Sequence, residues 1–280
     1  MRLGKPLSLL IALVSLFALG ACSQPTEPLT GGHGSDNGPY VGHVHGLGVD
    51  PADGVLYVAA HGGVFRVVGG NLDLVAARNQ DTMGFTVVGP RHFLASGHPA
   101  PTELDRPSHL GLIESRDAAE TWTEKSLFGQ ADFHSLAPSP GGLYAYDSIT
   151  ATVMRTSDYT TWTSIMTGEV HDLAAHPTQP DQVLATTRRG VVRLVDKTPA
   201  AVATPALFAF LDRPSAGVLV GATVDGAVYR SPDGGTTWAA TGQVPGQIEA
   251  LATGPTSWHA ATDQGIFTTS DQGKNWVRVL

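Results

Sequence analysis

Eleven histidines are spread over 280 residues. Six stand in or beside short apolar runs: His43 and His45 in "HVHGLGV", His61 in "VAAHGG", His98 in "LASGHP", His134 in "ADFHSL" and His171 in "EVHDL". Imidazoles brought together from separate segments are the usual makings of a zinc or copper site, and a thioether such as Met83 would tilt the choice toward copper. His45, His134 and His171 are the candidate metal ligands, with His43, His61, His98, Asp132, Arg188 and Asp263 as further ligand-binding candidates. The same residues also suit a rim for a small polar ligand, or a channel wall whose histidines satisfy backbone groups and ordered water. Carboxyl groups offer a second chemistry. Glycoside hydrolysis needs two of them flanking one bond. Glu249 and Asp147 are the candidate catalytic pair, Glu249 being the better placed for a carboxyl raised by burial.

Either chemistry needs elements that converge. From residue 43 onward the chain reads as short runs of Val, Leu, Phe and Thr punctuated by Gly, Pro and Asp, which are strand signals, with no convincing helix. The runs align with a period of roughly 35–50 residues, the range of propeller blades. The opening strands are "HGLGVDP", "GFTVVGP", "HSLAPSP", "HDLAAHP", "FAFLDRP" and "EALATGP". Second, third and fourth strands follow in each unit. The expectation is an all-β, six-bladed β-propeller of four-stranded antiparallel blades over residues 43–280. The sixth unit contains its own four strands, although residues 38–42 could still pair there.

The repeat gives each residue a face. Six residues before each proline stand His45, Gly84, His134, His171, Phe208 and Glu249, a ring around one axis. Second strands end at the same mouth with His61, His98, Asp147, Arg188 and Asp263, and Met83 and Asp132 flank the ring. His43 lies on the same side of its strand as His45, since side chains alternate with period two. His92, His176 and His259 fall at the opposite end, and His109 follows a long insert in blade two that should overhang the mouth.

The chain begins "MRLGKPLSLLIALVSLFALGAC", two cations and an apolar run too short for a comfortable membrane span. Residues 1–21 read as a signal peptide and 22–42 as a Pro/Gly/Ser-rich tether. Loss of Arg2 and Lys5 with the signal takes the formal charge from −8 to −10, and no basic cluster invites nucleic acid. Cys22 is the single cysteine, which leaves no intramolecular disulfide.

Two motifs carry resemblances. Leu19-Gly20-Ala21-Cys22 resembles a bacterial lipobox, which implies cleavage before Cys22, a diacylglycerol on its thiol and attachment to the outer side of the cell membrane. "SPDGGTTW" (231–238) resembles the Asp-box, or BNR repeat, of sialidase-like and glycosyl hydrolase-like propellers. It recurs, one spacer short, as Ser270, Asp271, Gly273 and Trp276, and in degenerate form as Ser115, Asp117 and Trp122 and as Ser157, Asp158 and Trp162. The Trp of each box is expected to bury against the next sheet, and the boxes themselves to be structural. Sialidases of that family use an arginine clamp that has no counterpart here beyond Arg188 and Arg189. The resemblance leaves three functions open: binding of a small molecule, glycan or metal at the histidine mouth, glycoside hydrolysis, or holding another protein.

Overall fold

The computed structural model describes Met1 and residues 41–280. The signal peptide, Cys22 and the tether up to Tyr40 lie outside the described residues. Blade 1 comprises β1 (Val44–Val49), β2 (Leu56–Ala60), β3 (Gly63–Val68) and β4 (Asn71–Leu74). Blade 2 comprises β5 (Asp81–Gly89), β6 (His92–His98), β7 (Leu112–Ser115) and β8 (Thr123–Ser126). Blade 3 is β9 (Phe133–Ser139), β10 (Gly142–Asp147), β11 (Thr152–Thr156) and β12 (Thr163–Thr167). Blade 4 is β13 (Asp172–Ala175), β14 (Gln182–Thr187), β15 (Gly190–Val195) and β16 (Thr198–Val202). Blade 5 runs β17 (Phe210–Asp212), β18 (Leu219–Ala222), β19 (Ala227–Ser231) and β20 (Ala239–Gln243). Blade 6 runs β21 (Ile248–Thr253), β22 (Trp258–Thr262), β23 (Gly265–Thr269) and β24 (Val277–Arg278). Every sheet is antiparallel in sequence order, and the expected six-bladed propeller is the observed fold.

Burial follows from stacking. The second strand of each blade is covered by both neighbouring sheets, so "LYVAA" of β2 is buried throughout, while the outermost β16 and β24 are mostly exposed and β4 is half exposed. Apolar clusters fill the seams between blades. Tyr57 of blade 1 meets Phe93 of blade 2 edge to face at 4.8 Å, and each such buried ring contributes about 1.5–3 kcal/mol. The first strands also touch in a ring, β1 against β5 and, closing it, β1 against β21.

A polar clasp crosses every seam. One side-chain oxygen of each blade accepts a backbone N–H of the next: Asp50 from Arg91, Ser96 from Phe133, Ser135 from Leu173, Asp172 from Leu211, Asp212 from Thr253 and Glu249 from Val44. Five of these bonds satisfy inner-strand N–H groups that would otherwise face a neighbouring sheet, and the Arg91 N–H belongs to the turn between β5 and β6. Among the described residues, the seam between blades 6 and 1 closes without strand exchange. Val41, instead of joining blade 6, accepts the Gly62 N–H of its own blade.

The box turns hold β3-to-β4-type hairpins in four blades. Ser231 Oγ donates to Asp233 and accepts the Gly235 N–H, and Asp233 accepts the Thr237 N–H. In blade 6 the hydroxyl role belongs to Thr269, not Ser270, so Thr269-x-Asp271-x-Gly273-x-x-Trp276 has full spacing. Blade 3 likewise uses Thr156 rather than Ser157. The tryptophans pack backward rather than forward: Trp162 donates to Ser126 of blade 2, and Trp238 stacks on Phe208 in the seam between blades 4 and 5. Blades 1 and 4, which lack the box, turn on Gly69–Gly70 and Asp196–Lys197, pairs with positive φ that suit two-residue hairpins.

Candidate functional site

The first strands line an axial cavity of about 1190 Å³. His43, His45, His134, His171, Met83, Glu249 and Asp263 lie along its wall. Two ring positions differ from the repeat alignment. Phe208 is buried in a seam, and Phe210 faces the channel, edge-on to His171 at 4.9 Å. At Gly84 a side chain would strike the Phe133 carbonyl, and Met83 lines the wall there.

His45, His134 and His171 do not form one ligand set. His45 groups instead with His61, at the end of β2, and Asp81, which opens β5. His45 Nε2 lies 3.5 Å from His61 Nδ1 and 3.9 Å from Asp81 Oδ1, and His61 Nδ1 lies 3.0 Å from the same oxygen. The last approach lacks hydrogen-bond alignment, and Asp81 Oδ1 is buried without a donor. Local structure fixes all three. The His61 N–H donates to the His43 carbonyl, extending the β1–β2 ladder to the rim, and Asp81 pairs with His98 across β5 and β6. Burial, followed by the neighbouring imidazoles of His61, His43 and His134, pushes His45 down to about 3. His45 is therefore neutral at physiological pH, with a ring lone pair available to a cation.

His43 stacks edge-on to His45 at 4.9 Å, and its Nδ1 lies 3.1 Å from Glu249 Oε1. That hydrogen bond raises His43 above its ordinary value. Burial alone would raise Glu249, but His43 and the Val44 N–H together hold it below the usual range. Glu249 is thus an ionised clasp, not the raised acid expected of a glycosidase. Asp147 is buried, with its oxygens accepting the Asp132 and Ile149 N–H groups and the Thr150 hydroxyl. Its carboxylate positions the Asp132 backbone.

Asp132 Oδ2 accepts from His134 Nε2 at 2.9 Å and from Ser148 at 3.1 Å. Burial would raise this carboxyl, but the His134 bond and the charge near His98 hold it low. His171 rests edge-on against Phe210, and burial, then the nearby His43, lowers it. Arg188 is exposed, paired with Glu169 at 3.0 Å, and does not line the cavity. Asp263 caps the Gln247 N–H at the mouth. Sequence reasoning missed Asp81. The available signal was an acidic side chain at the start of the inner strand of blade 2.

Three solved structures share the architecture. The extracellular domain of a hybrid two-component system from B. thetaiotaomicron superposes with a TM-score of 0.54 at 13% identity, covering 86% of this chain and 34% of that one. An ancestral GH74 enzyme gives 0.53 at 14% identity, with 86% and 39% covered. YCF48 bound to D1 peptide gives 0.58 at 13% identity, with 82% and 94% covered. The likeness is one of fold. This chain spans well under half the length of the first two. No protein-family model matches the sequence, and no curated protein matches it. What is shared is a β-propeller scaffold, and function has to be argued from the mouth itself.

Proposed function

We propose that the chain is an extracytoplasmic, lipid-anchored propeller whose channel mouth binds a divalent transition-metal ion, zinc foremost, on His45, His61 and Asp81. The triangle formed by their ligand atoms carries the reading. Zinc bonds of about 2.0–2.1 Å in a tetrahedron set its ligand atoms about 3.3–3.4 Å apart. The observed edges of 3.5, 3.9 and 3.0 Å bracket that value. Two imidazoles and a carboxylate suit zinc. His61 is 40% exposed, which leaves a solvent-facing side for a fourth ligand. The anchor rests on the signal-like start and Cys22, and an extracellular location accords with both.

Isothermal titration of the purified full chain with zinc, beside His61→Ala and Asp81→Asn, tests the reading. Zinc should bind the parent. Each variant should weaken that site by more than the roughly 10–100-fold that loss of an outer-shell partner costs. Equal affinity in all three proteins would refute it.

A further inference from the structure

A second cluster lies on the blade 3 side of the same mouth, outside the set assigned above. His98 ends β6, His109 ends the long insert between β6 and β7, and Asp132 stands just before β9. One ligand atom from each lies within 4.8 Å of the other two. We infer that His98, His109 and Asp132 form a second divalent transition-metal site, independent of the first.

Three observations carry it. Two of the polar atoms are orphans: His109 Nδ1 and Asp132 Oδ1 are both buried without a hydrogen-bond partner. Such atoms cost free energy unless something satisfies them, and a cation accepts lone pairs from both. Next, the tautomer of His98 is fixed. Its Nδ1 donates to the Ser108 carbonyl at 2.7 Å, so in the neutral ring Nε2 carries the lone pair, 3.8 Å from Asp132 Oδ2. A backbone carbonyl holding the far nitrogen of a ligating histidine is the usual outer-shell arrangement of metal sites.

The third observation is that the backbone has already set the three segments side by side. The Leu110 N–H donates to Gly97 O, beside His98, and the Gly111 N–H donates to Ala131 O, beside Asp132. Asp147 holds the Asp132 N–H from behind, and the Gly129 N–H holds the His109 carbonyl. The insert therefore delivers His109 on a braced strut, and only side chains must move to close the site around an ion. Two imidazoles and a carboxylate again define the ligand class as zinc or copper(II).

Zinc stoichiometry of the full chain, measured by elemental analysis after equilibrium dialysis, tests the inference. The parent should retain two equivalents, His109→Ala one, His61→Ala one, and the double variant none. His98→Gln serves as a second probe, and unchanged circular dichroism confirms folding. A parent whose zinc content is unaltered by both His109→Ala and His98→Gln overturns the second site. A single equivalent lost in His109→Ala but kept in His61→Ala supports it and refutes the first, so the two readings fail separately.

Discussion

At the scale of single residues, the mouth shows how neighbours divide similar groups into different tasks. His45 is kept neutral by burial and by three imidazoles, whereas His43, two residues earlier, is drawn toward its charged form by Glu249. The carboxyls divide as well. Asp172, half-buried at the seam between blades 4 and 5, is pushed by burial up to about 7 against three donors, while Glu249 is held low. The sign of the pH effect follows. Raised in the folded state, Asp172 contributes stability below about pH 4, its unfolded value, and that contribution is lost as the pH rises toward 7. Urea unfolding at pH 5 and pH 7.5 should show the stability gap between the parent and Asp172→Asn moving in favour of the variant at the higher pH. His45 acts in the other window. Its depressed value makes the fold lose stability as the pH falls from about 6.5 toward 3, and a His45→Gln variant should lose less over that interval.

At the scale of elements, the hairpin turns and the inner strands set the register. Thr269 accepts the Gly273 N–H and donates to Asp271, so Thr269→Val should cost about 1–3 kcal/mol by stranding a buried N–H. Ser270→Ala should fall within about 0.5 kcal/mol of the parent. Chemical denaturation of the two variants decides which hydroxyl belongs to the turn. The inner strand β5 makes a similar point. A methyl at Gly84 would press on the Phe133 carbonyl of the next blade, which cannot rotate away, so Gly84→Ala should destabilise by about 1–3 kcal/mol. Gly89→Ala on the same strand meets only His92 Cβ at 3.8 Å and should be close to neutral.

At the scale of the whole molecule, sixfold repetition was legible in the sequence because strand periodicity and turn chemistry recur in every blade. The prolines closing the first strands gave the ring of His45, His134 and His171, and all three do line the channel. The grouping was not legible. Equivalent positions in separated blades face one another across an open cavity of about 1190 Å³, whereas short ligand distances arise between the ends of adjacent blades. Asp81 and His109 carry no repeat signal, one opening a bulged strand and the other ending an insert unique to blade 2. The box register slipped by one because Ser270 and Ser157 sit beside the threonines that do the bonding. Closure of the ring is itself testable. Glu249→Ala strands the Val44 N–H at the seam between blades 6 and 1 and should lower Tm by several degrees, at about 2–4 °C per kcal/mol for a domain of this size. Glu249→Gln, which keeps an acceptor, should lower it less.

Anomalous diffraction at the zinc edge, from crystals of the full chain equilibrated with zinc, bears most directly on the mouth as a metal centre. The expected result is a peak about 2.0–2.2 Å from His45 Nε2, His61 Nδ1 and an Asp81 oxygen. A map with no peak at these three side chains, at zinc concentrations that saturate the protein in solution, would contradict it.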